Sequence, residues 1–271
     1  MTKACIFCGE FREMTREHIW GHWIRDFVPL GPNLHHLRDV EVGARGEVMT
    51  ATTVRKAGSA LALNRRIVCK PCNNTWMSRL QERARPFLVP LLRGERCALG
   101  PEAQTAIAAW ATMVTMTAEF MLESAGKVGV SREDRLRLMQ TEAPILEWRI
   151  WAAYHRGGVY SHGWTHTSLP IVGGEDLPNA ELVYSPLPNT QTTTFVVGEL
   201  YIHTMSSAYH ELCRDWQWLG NDRLRALLVP IWPIRHEFIA WPWHGITDND
   251  IAMSAEMFTQ HCERAVRGTG F

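Results

Sequence analysis

The chain has no apolar run approaching the ~18–20 residues that a helical bilayer crossing requires, which excludes a transmembrane helix. It has no net charge either. The 28 Lys+Arg balance 28 Asp+Glu, which at first argues against a polyanionic partner. Cysteine is scarce, at seven in 271 residues, and a secretory leader is not expected, because the first cysteine pair begins at Cys5. A cytoplasmic, reducing location follows as the expectation. What is present in quantity is apolar: 46% hydrophobic residues, enough for one large core or two modest ones.

The seven cysteines are not scattered evenly. Cys5-x-x-Cys8 and Cys69-x-x-Cys72 each hold two residues between the thiols, and together they supply four soft ligands for a tetrahedral ion such as Zn²⁺. Gly9 follows the first pair and Pro71 lies inside the second, the turn-forming neighbours such knuckles need. The bland alternative is two unrelated pairs of buried thiols, which rarely arise by accident. Cys97, Cys213 and Cys262 are left over and read as separate thiols.

Zinc alone would staple the chain. It would also gather chemistry, because Glu17-His18 follows the first pair and Asn73 comes directly after Cys72. Clamping both pairs on one ion brings Glu17, His18 and Asn73 into one neighbourhood. His22 lies four residues beyond His18 and is a candidate extra phosphate or metal contact. His35 and His36 read as surface residues of an extended insert, and Asn74 and Thr75 as helix caps.

In these residues the chain resembles the HNH nucleases of the ββα-metal fold, and among them the zinc-stapled branch that includes phage-type junction-resolving endonucleases. The matching residues are Cys5 and Cys8, Glu17-His18, Asn64 five residues before Cys69, and Cys72-Asn73. The resemblance covers the first ~95 residues. It implies that His18 is the general base, that Glu17 and Asn73 hold a catalytic Mg²⁺ or Mn²⁺, and that Asn64 braces the loop carrying His18. Two features depart from the pattern. The stretch from His18 to Cys69 is longer than the compact family hairpin, so either Asn33 or Asn64 can be the middle Asn, with Asn64 preferred for its distance from the knuckle. Glu17 also stands where Asp or His is commoner.

These residue types suit phosphodiester hydrolysis, among the slowest uncatalysed biological reactions. A cation held by a carboxylate and an amide oxygen keeps open positions for phosphate. A neutral histidine, with an ordinary pKa near 6.5, can take a proton from water at neutral pH. The charge distribution agrees with a polyanionic substrate. Residues 1–96 hold 16 basic against 9 acidic side chains, an excess of +7, and residues 97–271 hold 12 against 19, or −7. A solvated, mildly basic surface is the plainer reading of the same numbers.

Along the chain, Trp76, Leu80, Ala84, Phe87 and Leu91 recur at helical spacing and predict a helix with Asn73 at its start. Pro86 and Pro90 are expected to bend or end it. A boundary at 95–101 divides a zinc-stapled module, 1–96, from an acidic, Trp-rich domain, 97–271. The fold class is α+β: a ββα-metal-like module, then an antiparallel sheet with flanking helices. In the second region an amphipathic helix is predicted from Ala103 to Met121, and a shorter one capped by Ser131 and ending near Thr141. An alternating strand follows over Leu146–Tyr154, with Gly157-Gly158 turning into Val159-Tyr160. A long loop is expected from Gly173 to Thr190, one central strand over Thr192–Met205, and Pro-punctuated edge strands at Val229–Trp232 and Phe238–Trp241. A last helix is predicted from Asp248 to Arg267. Trp216, Trp218, Trp232, Trp241 and Trp243 cluster in sequence and read as core, with a base-stacking surface as the sharper alternative.

The expected function is a metal-dependent endonuclease acting on nucleic acid, DNA rather than RNA, with no membrane partner. The acidic domain would serve target choice, homodimer formation or control. A zinc-stapled nucleic-acid-binding protein without catalysis is the second expectation. A small-molecule-binding regulator or non-nuclease enzyme on the same scaffold is the third.

Overall fold

Thr15 and Glu17 alternate with exposed Arg16 along an extended segment, and that segment finds its partner in the strand leading to the second cysteine pair. In the computed structural model, β1 (Met14–His18) runs antiparallel to β4 (Asn64–Cys69). The described residues are 3–28, 34–42, 48–57, 60–121, 128–158, 162–169, 188–208, 210, 213 and 222–254, with the backbone alone at 34–42, 48–57, 60 and 169. Asn33, Val159-Tyr160, Trp216, Trp218, Cys262, most of the loop expected at 173–190 and the helix beyond 254 lie outside them.

The long insert between His18 and Asn64 is a two-stranded antiparallel ribbon, β2 (Leu34–Val42) against β3 (Val48–Ala57). After β4 the chain turns helical at once. α1 (Lys70–Cys72), a π-helical turn (Asn73–Met77) and α2 (Ser78–Leu92) follow without a break. Trp76, Leu80, Ala84 and Leu91 of the expected stripe are buried, whereas Phe87 is half-buried and Leu88 beside it is fully buried. Pro86 and Pro90 do not end the helix, which runs through both. Each removes one backbone hydrogen bond, but the leucines on the opposite side are fully buried and hold the helix in place.

β5 (Cys97–Leu99) pairs with β11 (Ile239–Trp241), and α3 (Pro101–Ala118) follows. The predicted amphipathic helix is instead buried almost all round, from Ala106 to Ala118 without interruption. Its small residues let other elements close on every side. Trp110 is wholly buried and meets Phe195 edge-on at 5.7 Å. Trp110→Ala should therefore cost about 3–5 kcal/mol, the range for emptying a large aromatic site, read as a lower urea midpoint. α4 (Arg132–Thr141) begins as expected, with Ser131 Oγ accepting from the Asp134 amide at 3.0 Å.

The main sheet has the order β10–β6–β9–β8–β7, with β12 (Gly245–Ile246) also on β6. Its strands are β6 (Arg149–His155), β7 (His162–Leu169), β8 (Thr190–Val197), β9 (Leu200–Ser207) and β10 (Val229–Trp232). The single strand expected over Thr192–Met205 is a hairpin. Gly198, at φ +58°, and Glu199 form a two-residue turn between Val197 and Leu200, and glycine suits that left-handed position. β9 is buried on both faces. One face of the sheet meets α3, where the Thr115 and Thr204 hydroxyls lie 2.9 Å apart. On the other face, Trp151, Tyr201 and Met205 pack with Cys213, Leu224 and Ile246.

One apolar cluster joins Phe7, Trp20 and Leu88 to Trp110, Trp164 and Phe195. It therefore crosses the sequence position at 95–101. Trp20 is edge-on to Trp164 at 6.1 Å. Of the C-terminal tryptophans, Trp241 is buried, and Trp232 and Trp243 are partly buried against the same core. Among the described residues no helix is long and apolar enough to cross a membrane.

Candidate metal centre and candidate active site

The first knuckle is a tight turn. The Gly9 amide donates to Cys5 O at 2.9 Å, and Gly9 sits at φ +76°, a left-handed conformation that glycine adopts without strain. The Ile6 amide donates to Ile67 O at 3.0 Å, which ties the knuckle to β4. The second pair straddles a boundary, with Cys69 ending β4 and Cys72 in the first helical turn. The four sulfurs all lie within 4.8 Å of one another, and Cys8 Sγ is 3.7 Å from Cys69 Sγ. A ZnS₄ tetrahedron with Zn–S bonds of about 2.3 Å has edges of about 3.8 Å. The cluster has the size and chemistry to hold a structural metal such as zinc.

The thiols of Cys5, Cys69 and Cys72 are pulled in different directions. Burial pushes the Cys5 thiol up, but the backbone amides of Cys69, Cys8 and Phe7 outweigh it and leave the thiol below its ordinary value. Burial raises Cys69, and burial followed by the Cys69 side chain raises Cys72 far above the ordinary value. A divalent ion resolves that conflict by neutralising the set. The later chain covers the site. Arg135 Nε donates to Ile6 O at 2.9 Å, and Cys72 Sγ lies 3.9 Å from Met139 Sδ on α4.

Twelve residues after Cys5, Glu17 points inward. It is 6% exposed, burial alone pushes its carboxyl up to about 8, and it makes no hydrogen bond or ion pair among the described residues. Alternation along β1 puts Thr15 on the same side, and Thr15 Oγ accepts from Asn73 Nδ2 at 3.0 Å. That bond turns the Asn73 amide so that Oδ1 is left for another partner. Asn73 itself sits on the π-helical turn, a local widening often found at functional sites.

His18 ends β1 opposite Asn64 in the register. Burial, then the charge of Arg25, then His22, hold its imidazole below the ordinary value, so it is neutral at pH 7. Its ring lies edge-on to His22, with centroids 6.2 Å apart. His22 and Asn73 share an open cleft of about 360 Å³ with Trp23, Asn74, Ser78, Gln81 and Glu82. Glu17 and His18 are not part of that cleft wall. The Asn64 amide donates to Ala62 O at 3.0 Å, a bond within its own loop. The ribbon strand β2 carries His35 and His36, opposite Lys56 and Arg55.

Several residues around the site were not singled out in the sequence. Thr15 orients Asn73, and only its place two residues before Glu17 hinted at this. Arg25 is held by Leu61 O at 2.7 Å and lies 3.2 Å from His22 Nε2. Gln81 takes the Trp23 indole N–H at 3.1 Å. Arg25 and Leu61 are 36 residues apart and Trp23 and Gln81 are 58 apart, so no local pattern links those pairs.

No family model matches the chain, and neither the curated proteins nor the solved structures compared with it include a match.

Proposed function

We propose that the chain is a metal-dependent endonuclease whose reacting groups lie around the end of β1 and the start of the helix after Cys72. The observation that carries this reading is Glu17, a buried carboxyl with no polar partner among the described residues, on the strand face that meets Asn73 through Thr15. A buried carboxylate without a partner is costly, and a divalent cation removes that cost. The strand–strand–helix order, with a four-cysteine cluster at its base, favours the same reading.

In this mechanism Glu17 and Asn73 Oδ1 hold the cation. When bound, a Mg²⁺-like ion supplies Lewis-acid stabilisation to a phosphate oxygen and to the leaving 3′-oxygen. Neutral His18 takes the proton from the attacking water. By strand alternation it sits on the other side of β1 from Glu17. Asn64, the strand partner of His18, would position it through the β1–β4 pairing. The basic excess of residues 1–96 favours a polynucleotide substrate.

Nicking of supercoiled plasmid by the purified chain, with and without Mg²⁺ or Mn²⁺, tests the reading, and metal-independent or absent cleavage counts against it. Asn73→Ala should raise the Mg²⁺ concentration needed for half-maximal cleavage, because it removes one ligand and leaves the base. An unchanged Mg²⁺ titration would take Asn73 out of the metal site.

A further inference from the structure

β1 and β4 are not in perfect register. Thr15 lies opposite Val68 and Glu17 opposite Arg65, so Arg66 and Ile67 together face Arg16 across a bulge. Ile67 is buried, whereas Arg16 and Arg66 are both exposed. Two guanidinium groups are thus set against each other on neighbouring strands. Like charges placed across a strand pair are destabilising, and proteins usually relieve them with a carboxylate.

No such relief is present among the described residues. Arg16 and Arg66 make no hydrogen bond or ion pair among the described residues. Glu13 is 3.6 Å from Lys70 Nζ and is engaged there. Glu17 is buried and belongs to the opposite face of β1. Bulges recur beside active sites, where they re-aim a side chain, and this one lies one residue from Glu17.

Alternation adds the direction. Arg16 and His18 fall on one side of β1, two residues and so about 7 Å apart along the strand. The next cross-strand pair beyond Arg16 and Arg66 on that side is His18 opposite Asn64. A row of two cations followed by a histidine has the pattern of a surface tracking a polyanion toward the reacting bond.

We infer that Arg16 and Arg66 form a phosphate clamp, holding the substrate's sugar–phosphate backbone beside the scissile bond through contacts that do not read sequence. The inference rests on the proposed nuclease reading and names how that site grips its substrate. Guanidinium groups suit the task, since their forked donors match phosphate oxygens. The clamp positions substrate and takes no part in proton transfer.

Binding and cleavage separate the two ideas. The zinc-loaded full chain is titrated against a fluorescent DNA duplex without added Mg²⁺ or Mn²⁺ over a range of salt concentrations. The Arg16→Ala/Arg66→Ala protein should lose affinity equally on unrelated duplexes. Its slope of log K against log salt should be shallower by about 1.8, close to 0.9 per phosphate contact. Arg16→Lys/Arg66→Lys should restore most of the slope, because the charge returns. Both positions are exposed, so zinc content should match the parent protein, and the thermal midpoint should hold or rise as the like-charge pair is relieved. A double-alanine slope equal to the parent's, or a parent that binds no polynucleotide, overturns the clamp. Cleavage with an unaltered slope removes the clamp and keeps the nuclease. The expected change of slope in a protein that never cleaves keeps the clamp and removes the nuclease.

Discussion

Cys69→Ser should leave the protein without its metal and unfold the region around both knuckles. Structural zinc contributes about 10–16 kcal/mol in small modules, as much as the whole stability of a typical domain. Cys69 is wholly buried at the end of β4, and its amide also lies 3.4 Å from Cys5 Sγ. A serine there removes one of the four soft ligands, and the backbone bond to Cys5 Sγ alone cannot hold the ion. The damage should spread to α4, because Arg135 and Met139 lean on the same knuckles. Elemental analysis should find one zinc per parent chain and none in the variant, and hydrogen exchange should speed up in β1, β4 and α4. Acid should act in the same direction: the ligands are thiolates, so protonation as pH falls releases the ion and the stability it brings. Undamaged parent protein with no metal would sink the idea.

The four-cysteine cluster was legible in the sequence because its spacing is set by coordination geometry, which does not depend on the rest of the fold. The helix after Cys72 was legible for a similar reason: Trp76, Leu80, Ala84 and Leu91 repeat at its period and all are buried. Reading failed where burial is not one-sided. α3 was expected to be amphipathic, yet it is enclosed all round, and a helix without a polar face has no period to betray its contacts. Thr192 to Met205 looked like one strand because β-branched residues run through it. The signal that divides it is Gly198, one small residue whose positive φ makes the turn. The prolines misled in the opposite direction, since tertiary packing held a helix that local rules would have ended.

Within the candidate site, residue types were readable and partnerships were not. Glu17, His18 and Asn73 could be named from their places beside the cysteine pairs, and Asn64 only through the family resemblance, with Asn33 as its alternative. That Thr15 turns the Asn73 amide depends on a strand and a helix start meeting across 58 residues. The facing arginines at 16 and 66 depend on a bulge, which shifts the register by one residue and leaves no mark in composition.

His18→Ala should lose cleavage while keeping zinc, fold and affinity for nucleic acid. A general base acts in the transition state, when the attacking water gives up its proton. Its loss should lower the rate constant by about 10²–10⁴-fold and leave substrate affinity near that of the parent. The side chain is partly exposed at the end of β1 and makes no hydrogen bond among the described residues, so alanine empties no core site. The pH profile gives a second readout. Burial, then Arg25, then His22, lower the imidazole pKa, so the base stays unprotonated to a lower pH than a free histidine. The acid limb of parent activity should therefore fall below the ordinary histidine value near 6.5, and Arg25→Gln should move that limb upward by removing a positive neighbour. Asn64→Ala should give a milder loss, by loosening the turn that ties Asn64, the strand partner of His18, to Ala62 O. A His18→Ala protein that nicks plasmid as fast as the parent would end the nuclease reading and favour a zinc-stapled nucleic-acid-binding protein in its place.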